Sequence, residues 1–358
     1  MPGQVTRVMA ADPVAAVLVA VLAPRKLVGW PTPLLRGQRR LPMAGGLAGP
    51  EVTITPADVA RWHPDLILAE IRATETASAL ADRIEAQTGV PFVLVEGSIE
   101  RSPAMLREIG ALLGVGKRGE DLAAWADHAI ADIRGRMLIE PPNTRPRVYY
   151  GKGPDGLTTP HAGSRAIAAI DESGSIDVAA PDPRGAGGEM RLSPTQLLDW
   201  NPDIVIAEDR SFANQLRRDP QWRGLKAVRN RRIYVAPVAP FGWIDDPPGI
   251  NRLIGLYWLS ALLYPGDQPD LGTSVSDFYE KFYGTKLNEK QLAALVHSAE
   301  AKPGEFGQTT GGPELLAPGA TLNPILPGQP PPATLAPGRR QPVPTAPPTP
   351  LTPVPGSH

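Results

Sequence analysis

The chain of 358 residues contains no cysteine and only five histidines. Without cysteine, disulfides, thiolate metal sites and cysteine nucleophiles are excluded. The formal net charge of -1 leaves no basic surplus to hold a phosphate backbone, so nucleic acid is not an expected partner. The longest apolar run near the start, residues 14–23, is shorter than the about 20 residues that span a bilayer. That run is therefore predicted to be a buried helix.

The sequence also lacks the short motifs that mark common catalytic sites. It has no Walker loop, no G-x-G-x-x-G opening a helix after a strand, and no G-x-S-x-G elbow. Asp245 and Asp246 are adjacent, so their side chains point to different sides and make no acid–base couple. The histidines are scattered along the chain and form no cluster of metal ligands. We therefore predict no catalytic residues, no bound metal ion and no cofactor.

The composition changes sharply near Lys302. Sixteen of the 43 prolines follow that residue, with few charges and little apolar periodicity. Such a segment cannot form a core and is predicted to be extended or disordered. We interpret residues 301–358 as a spacer or tail; the alternative is a ligand for a proline-binding domain.

An internal repeat is the most informative feature of the remaining chain. Residues 49–70 align without gaps to residues 187–208, with eight of 22 positions identical. Thr55 and Ser193 are predicted N-caps, each followed by a proline at the first helical position. The two helices are predicted to end before Pro64 and Pro202, because a residue preceding proline is disfavoured in the helical region. Short, fully apolar segments follow at 66–69 and 204–207, which is typical of buried parallel strands.

The repeat predicts an α/β fold of two Rossmann-like lobes with parallel sheets. Helical spacing of apolar residues over 120–138 predicts one long helix that joins the lobes. The expected organisation is an N-terminal lobe at 1–118, the linking helix within 119–143, a C-terminal lobe at 144–300 and the tail. A ligand cleft is expected between the lobes.

Several segments of this chain resemble the helix-linked class of periplasmic substrate-binding proteins of ABC importers. They are the Trp-x-Pro-Asp entries at 62–65 and 200–203, Leu27-Val-Gly-Trp30, Trp222-Arg-Gly-Leu-Lys-Ala-Val, and Pro240-Phe-Gly-Trp-Ile-Asp245. This class carries ferric siderophores, haem and cobalamin. The resemblance implies a periplasmic, non-enzymatic and monomeric protein that delivers a small molecule to a membrane permease. Because Pro24, Arg25 and Lys26 directly follow the apolar run at 14–23, that run lacks the cleavage pattern of a signal peptide, and we expect any export signal to be absent from this chain.

Ligands of open α/β sheets bind beyond the carboxyl ends of the strands. The candidate ligand-binding residues are the aromatic, basic and polar side chains of the corresponding loops: Trp30, Arg72, Tyr150, His161, Arg210, Trp243 and Asp245. Aromatic rings would cover an organic ligand, and arginines would pair with its carboxylate, hydroxamate or catecholate oxygens.

The resemblance also implies that acidic residues, one on each lobe, contact the permease. Glu75 is suitably placed in the first lobe, but arginines crowd the corresponding region of the second lobe, at 217, 218 and 223.

We predict a metal chelate as cargo, with a ferric siderophore first. Cobalamin and haem are alternatives, and His161 or Tyr150 could supply an axial ligand to haem iron. Enzymes or scaffolds using the interlobe cleft are the alternatives of another class.

Overall fold

The computed structural model describes residues 4–28, 54–71, 74–138, 144–183, 188–264 and 270–300, with side chains to residue 296. Its strands are β1 Val8–Ala10, β2 Leu66–Ala69, β3 Phe92–Leu94, β4 Arg147–Gly151, β5 Thr158–Pro160, β6 Ile176–Asp177, β7 Glu189–Arg191, β8 Ile204–Ala207 and β9 Ile233–Val235. Its α-helices are α1 Pro13–Leu22, α2 Pro56–Trp62, α3 Glu75–Thr88, α4 Ser102–Leu112, α5 Gly116–Met137, α6 Ala168–Glu172, α7 Pro194–Trp200, α8 Arg210–Arg218, α9 Lys226–Arg229, α10 Arg252–Leu263, α11 Leu271–Tyr283 and α12 Glu289–Glu300. Trp30, Arg72 and the proline-rich tail lie outside the described residues.

Seven of these strands form two separate parallel sheets, and β5 and β7 form an antiparallel pair. The first has the order β1-β2-β3, and the second has the order β6-β4-β8-β9. The central strands β2 and β8 are buried along their whole length, as expected for parallel sheets covered on both faces. The prediction of an α/β fold with parallel sheets is confirmed.

The two copies of the repeat have the same local structure. Thr55 and Ser193 each close a capping box with the third helical residue, Asp58 or Gln196. The C-cap residues of the two helices are His63 and Asn201, immediately before the prolines. Both residues adopt the left-handed conformation, with φ of 45° and 44°. This turn reverses the chain at once, so that each helix leads directly into its strand.

The aspartate of each Trp-x-Pro-Asp segment holds the neighbouring strand. Asp65 accepts hydrogen bonds from the backbone N–H groups of Thr6 at 2.7 Å and Arg7 at 3.0 Å, just before β1. Asp203 accepts one from the N–H of Arg147 at 2.8 Å, at the start of β4. These contacts satisfy strand-end donors and explain why the motif recurs.

Helix α5 connects the two sheets along the chain and begins at Gly116, four residues earlier than predicted. It packs closely on α4, because glycines stand at the contact: a Cβ added to Gly119 would lie 2.6 Å from a backbone oxygen of α4. Further along, the Trp125 ring packs on Phe278 and Phe282 of α11. The Trp125 indole N–H also donates to Asp277 at 2.7 Å. Within the described ranges, no helix has the length and apolar character that crossing a membrane requires.

Two local predictions were wrong. His161 was expected in a loop that begins at Thr158, but residues 158–160 form β5, which pairs with β7 in an antiparallel arrangement. Here tertiary pairing overrides the turn-forming Gly and Pro content. Arg210 was expected in a loop, but it is the first residue of α8. The side chain of Asp209 caps this helix by accepting from the Ser211 N–H at 2.6 Å.

Candidate functional site

The carboxyl end of the first sheet carries two buried acidic side chains. Asp12 follows β1 and accepts from the backbone N–H groups of Ala15 at 2.9 Å and Glu70 at 2.7 Å. It therefore caps α1 and ties the ends of β1 and β2 together. Burial raises the pKa of the Asp12 carboxyl above its usual value, although the backbone donors oppose the shift.

Glu70 follows β2 and is only 1% exposed. Its partner, Arg165, comes from the segment after β5. One Arg165 nitrogen pairs with Glu70 Oε1, and Nη1 donates to the Glu70 backbone oxygen at 2.7 Å. Burial raises the pKa of the Glu70 carboxyl to about 7, against the lowering effect of the neighbouring arginines.

A second arginine, Arg252, lies buried beside this pair at the start of α10. Its guanidinium donates to the backbone oxygens of Gly249 at 3.0 Å, Arg165 at 3.3 Å and Gly97 at 3.5 Å. Burial, with the charge of Arg165, lowers the pKa of Arg252 to about 10. We call Asp12, Glu70, Arg165 and Arg252 the first strand-end cluster.

The carboxyl end of the second sheet is organised around a lysine. Lys152 follows β4, and its ammonium lies 2.6 Å from Asp245, 2.8 Å from Glu189 and 3.9 Å from Glu208. Glu208 follows β8 and also accepts from the Gly153 N–H at 2.9 Å. Burial lowers the pKa of Lys152, but the carboxylates together outweigh burial and raise it above its usual value. These four charged residues are the second strand-end cluster.

The two clusters occupy equivalent positions of the repeat. Glu70 and Glu208 are the same repeat residue, and each follows the central strand of its sheet. By strand register, Asp12 corresponds to Lys152, since β1 pairs with β2 as β4 pairs with β8. The charge at this equivalent position is therefore opposite in the two halves.

The predicted site residues fall into different environments. Asp245 joins the second cluster through Lys152 and is 6% exposed. Tyr150 lies within β4, and burial raises its pKa well above the usual value. Trp243 is completely buried, and its indole N–H donates to the Ala239 oxygen at 3.2 Å. In this arrangement, Tyr150 and Trp243 form part of the core next to the second cluster.

The other predicted residues lie nearer the surface. His161 is partly exposed, and its Nδ1 is 3.1 Å from the Ala180 oxygen. Arg210 and Glu75 are exposed and occupy the first positions of α8 and α3. They are therefore helix-start residues on corresponding helices, with opposite charge.

Several charged residues of the clusters were not selected from the sequence. Glu70 and Lys152 lie in loops that the strand-end rule nominates, so the rule pointed to them. Asp12 could have been found as the residue before a Pro at a helix start. Arg165 and Arg252 had no local signal for their place at the first sheet, because their acceptors there, Glu70 and Gly97, are 95 and 155 residues away.

The described residues hold no group of three or more His, Asp or Glu side chains arranged to bind a metal ion. In the second cluster, the carboxylates instead surround an ammonium group. The site can therefore offer cationic hydrogen-bond donors and anionic acceptors to a solute.

Residues 51–240, more than half of the chain, match the model of the family described as "Periplasmic binding protein". The chain therefore belongs to the periplasmic binding protein family, the non-enzymatic solute-binding components of ABC importers. No curated protein matched the sequence.

Solved structures show the same fold. An ABC transporter solute binding protein from Sulfurospirillum deleyianum is 23% identical, with a TM-score of 0.76 over 83% of this chain and 95% of that one. The molybdate-bound periplasmic protein MolA of Haemophilus influenzae is 20% identical, with a TM-score of 0.64 over 80% and 95%. A periplasmic heme binding protein from Pseudomonas aeruginosa is 19% identical, with a TM-score of 0.56 over 75% and 95%. At these identities, the likeness concerns the fold alone.

Proposed function

We propose that this protein captures a metal chelate, a ferric siderophore first, between the carboxyl ends of its two parallel sheets. It then delivers the chelate to the permease of an ABC importer. The observation that carries the proposal is the pair of strand-end clusters at equivalent positions of the repeat. In α/β proteins, ligands bind at the carboxyl ends of the strands. Here, the carboxyl ends of both sheets carry charged hydrogen-bonding groups.

The charges of the clusters favour a chelate over a small oxyanion. In the described part of the chain, the clusters contain three cationic side chains, Lys152, Arg165 and Arg252, and five acidic ones. An excess of carboxylates repels a compact, multiply charged anion such as molybdate. A chelate spreads its charge over many oxygens and presents both donors and acceptors to a site of mixed charge.

Haem is a weaker candidate than a siderophore. Of the two side chains considered as axial ligands, Tyr150 is buried within β4, and its raised pKa keeps the phenol protonated. That leaves His161, whose ring already contacts a backbone oxygen. Cobalamin stays an alternative of the same fold.

The proposed location is the periplasm, and the proposed permease contact is Glu75, an exposed residue at the start of α3. In the corresponding region of the second half, the arginines at 217, 218 and 223 are exposed. We therefore propose that the permease meets the two halves with different chemistry rather than with two identical basic pockets.

The test is a titration of purified protein followed by the fluorescence of its seven tryptophans. The panel contains a ferric trihydroxamate, a ferric tricatecholate, cobalamin, haem and molybdate. Saturable quenching by a ferric siderophore at micromolar concentration or below supports the proposal. Saturation by molybdate alone, or no response from a protein that is folded by circular dichroism, refutes the siderophore assignment.

Two arginines of α8 provide a matched pair of variants. Arg210, at the start of the helix, is a predicted ligand contact, whereas Arg218 is exposed in its last turn. Loss of a charge-assisted hydrogen bond is expected to weaken siderophore binding about tenfold or more in Arg210→Ala. Arg218→Ala should bind as the wild type does. Equal affinities in both variants would remove Arg210 from the site.

A further inference from the structure

The contact between Arg165 and Glu70 joins the carboxyl end of the first sheet to the segment that follows β5. Glu70 directly follows β2, the central strand of the first sheet, and Arg165 follows β5, whose first residue bridges to Lys152 directly after β4. Arg165 contacts both the carboxylate and the backbone oxygen of Glu70. Its guanidinium therefore occupies the carboxyl end of the first sheet, where a solute is expected to bind.

From this geometry we infer that the Arg165–Glu70 contact, which we call the clasp, holds the segment after β5 against the carboxyl end of β2 in the ligand-free protein. The clasp thereby sets the distance between the ends of the two parallel sheets. Arg165 is thus a positioning residue of the solute site. The clasp does not depend on the identity of the cargo; only its consequence for solute entry rests on the proposed function.

Arg252 gives the clasp a fixed base. It is 2% exposed and donates to backbone oxygens on both sides of the contact, at Arg165 and at Gly97 after β3. The main chain that carries Arg165 is therefore held in place, while the Arg165 side chain keeps 31% of its surface exposed. A side chain of this kind can leave its partner without unfolding the segment.

The two side chains of the clasp do not use all of their hydrogen-bonding atoms. Among the described residues, Glu70 Oε2 and Arg165 Nε are buried and lack a hydrogen-bond partner. Burying an ion pair costs desolvation that its attraction only roughly repays, and unpaired buried atoms add to that cost. The contact is therefore weak enough to open when a solute offers better partners to either group.

A substitution at Gly97 can break the clasp by displacing Glu70 and leaving Arg165 unchanged. A Cβ added at Gly97 would lie 2.0 Å from Glu70 Oε1, the atom that pairs with Arg165. Because Glu70 has almost no free space, Gly97→Ala must displace its carboxylate from the arginine. Arg165→Ala and Gly97→Ala therefore break one contact by independent means.

The absence of native cysteine makes a distance measurement direct. Spin labels are attached through Ala79→Cys on α3 and Ser211→Cys on α8, two exposed positions on the helices that follow the central strands. Pulsed electron paramagnetic resonance then reports the distance distribution in ligand-free protein at pH 8. Arg191→Ala is the matched control, since Arg191 forms an exposed ion pair with Asp155 of the same half.

With the clasp intact, the wild type and Arg191→Ala should give the same narrow distribution. Arg165→Ala and Gly97→Ala should broaden it and lengthen its mean by more than about 2 Å, the scale of a real rearrangement. Arg165→Lys keeps the charge but loses the two-point contact, so its mean distance should lie between that of the wild type and that of Arg165→Ala.

An unchanged distribution in Arg165→Ala and Gly97→Ala, both folded by circular dichroism, would overturn the inference. If Arg165→Ala does not fold, Gly97→Ala alone decides it. The measurement uses no ligand, so failure of the siderophore titration would refute the proposed function and leave the clasp result intact.

Discussion

Lys152 is the only cation among three carboxylates in the second strand-end cluster, and its removal should expose that imbalance. In Lys152→Met, the side chain keeps its length and apolar body but loses its charge. Asp245, which is 6% exposed, would then be buried without its 2.6 Å partner, next to Glu189 and Glu208. The variant should therefore be less stable than the wild type at neutral pH.

The size of the effect follows from the exposure of the three carboxylates. Removing one member of a buried ion pair costs about 3–5 kcal/mol, because the remaining charge is uncompensated. Glu189 is 44% exposed and Glu208 is 24% exposed, so water can solvate both in part. We therefore expect a loss of about 2–4 kcal/mol, which lowers Tm by roughly 5–15 °C.

The dependence on pH distinguishes charge from packing. The raised pKa of Lys152 means that its contribution is fully present below the usual lysine pKa of 10.5 and is lost only as pH rises through the raised value. In the variant, the penalty should shrink as pH falls, because burial raises the pKa of Glu208 and favours its protonation. The wild type and the variant should thus differ more at pH 8 than at pH 5.

Thermal melts at both pH values check this expectation, with Lys117→Met as the control. Lys117 is 88% exposed in its ion pair with Asp121, so its replacement should change stability by less than about 0.5 kcal/mol. A Lys152→Met protein that melts within about 2 °C of the wild type at pH 8 would refute the reasoning. Equal losses at pH 5 and pH 8 would assign the effect to lost packing.

Three further predictions concern other positions. Burial raises the pKa of Asp177 to about 7, and one of its buried oxygens lacks a hydrogen-bond partner. Asp177→Asn should therefore stabilise the protein by about 1–3 kcal/mol at pH 8, where the aspartate is charged, and not at pH 4. Urea unfolding at the two pH values measures the difference. The pKa of Glu70 is raised to about 7 from a usual 4.5, so its contribution to stability is fully present below pH 4.5 and is lost as pH rises through about 7. In Glu70→Gln, the profile of Tm against pH should therefore be flatter in this window. Gly119→Ala should cost about 1–3 kcal/mol by overpacking against α4, whereas Gly116→Ala, with no atom within 4 Å of the added Cβ, should not destabilise the protein in the same melts.

Local sequence patterns predicted the elements whose causes are local. The caps at Thr55 and Ser193, followed by proline, predicted the starts of α2 and α7, and the apolar segments after Pro64 and Pro202 predicted β2 and β8. The same logic failed for β5. A three-residue strand that contains proline has little pattern of its own, and its partner β7 lies about 30 residues away.

The candidate site was less predictable, because its contacts span long distances in sequence. The strand-end rule selected the correct loops around Glu70 and Lys152, but it could not state which side chains in them are buried. Trp243 illustrates the difficulty: it follows a strand, as a cleft residue does, and yet it packs fully inside the core. Arg165 reaches Glu70 across 95 residues, a separation over which no periodicity carries information.

The repeat explains why the fold of this chain is easier to predict than its solute. Caps, turns and buried strands recur in both halves because each half needs them to fold. The residues at the ends of those strands have no such constraint, and they differ: Asp12 corresponds to Lys152, and identical glutamates meet an arginine in one half and a lysine in the other. Glu70 is closed off by Arg165, while Glu208 keeps access to water. Equivalent positions can therefore carry different ligand chemistry on one scaffold, and the identity of the solute depends on side-chain pairs that only the folded chain brings together.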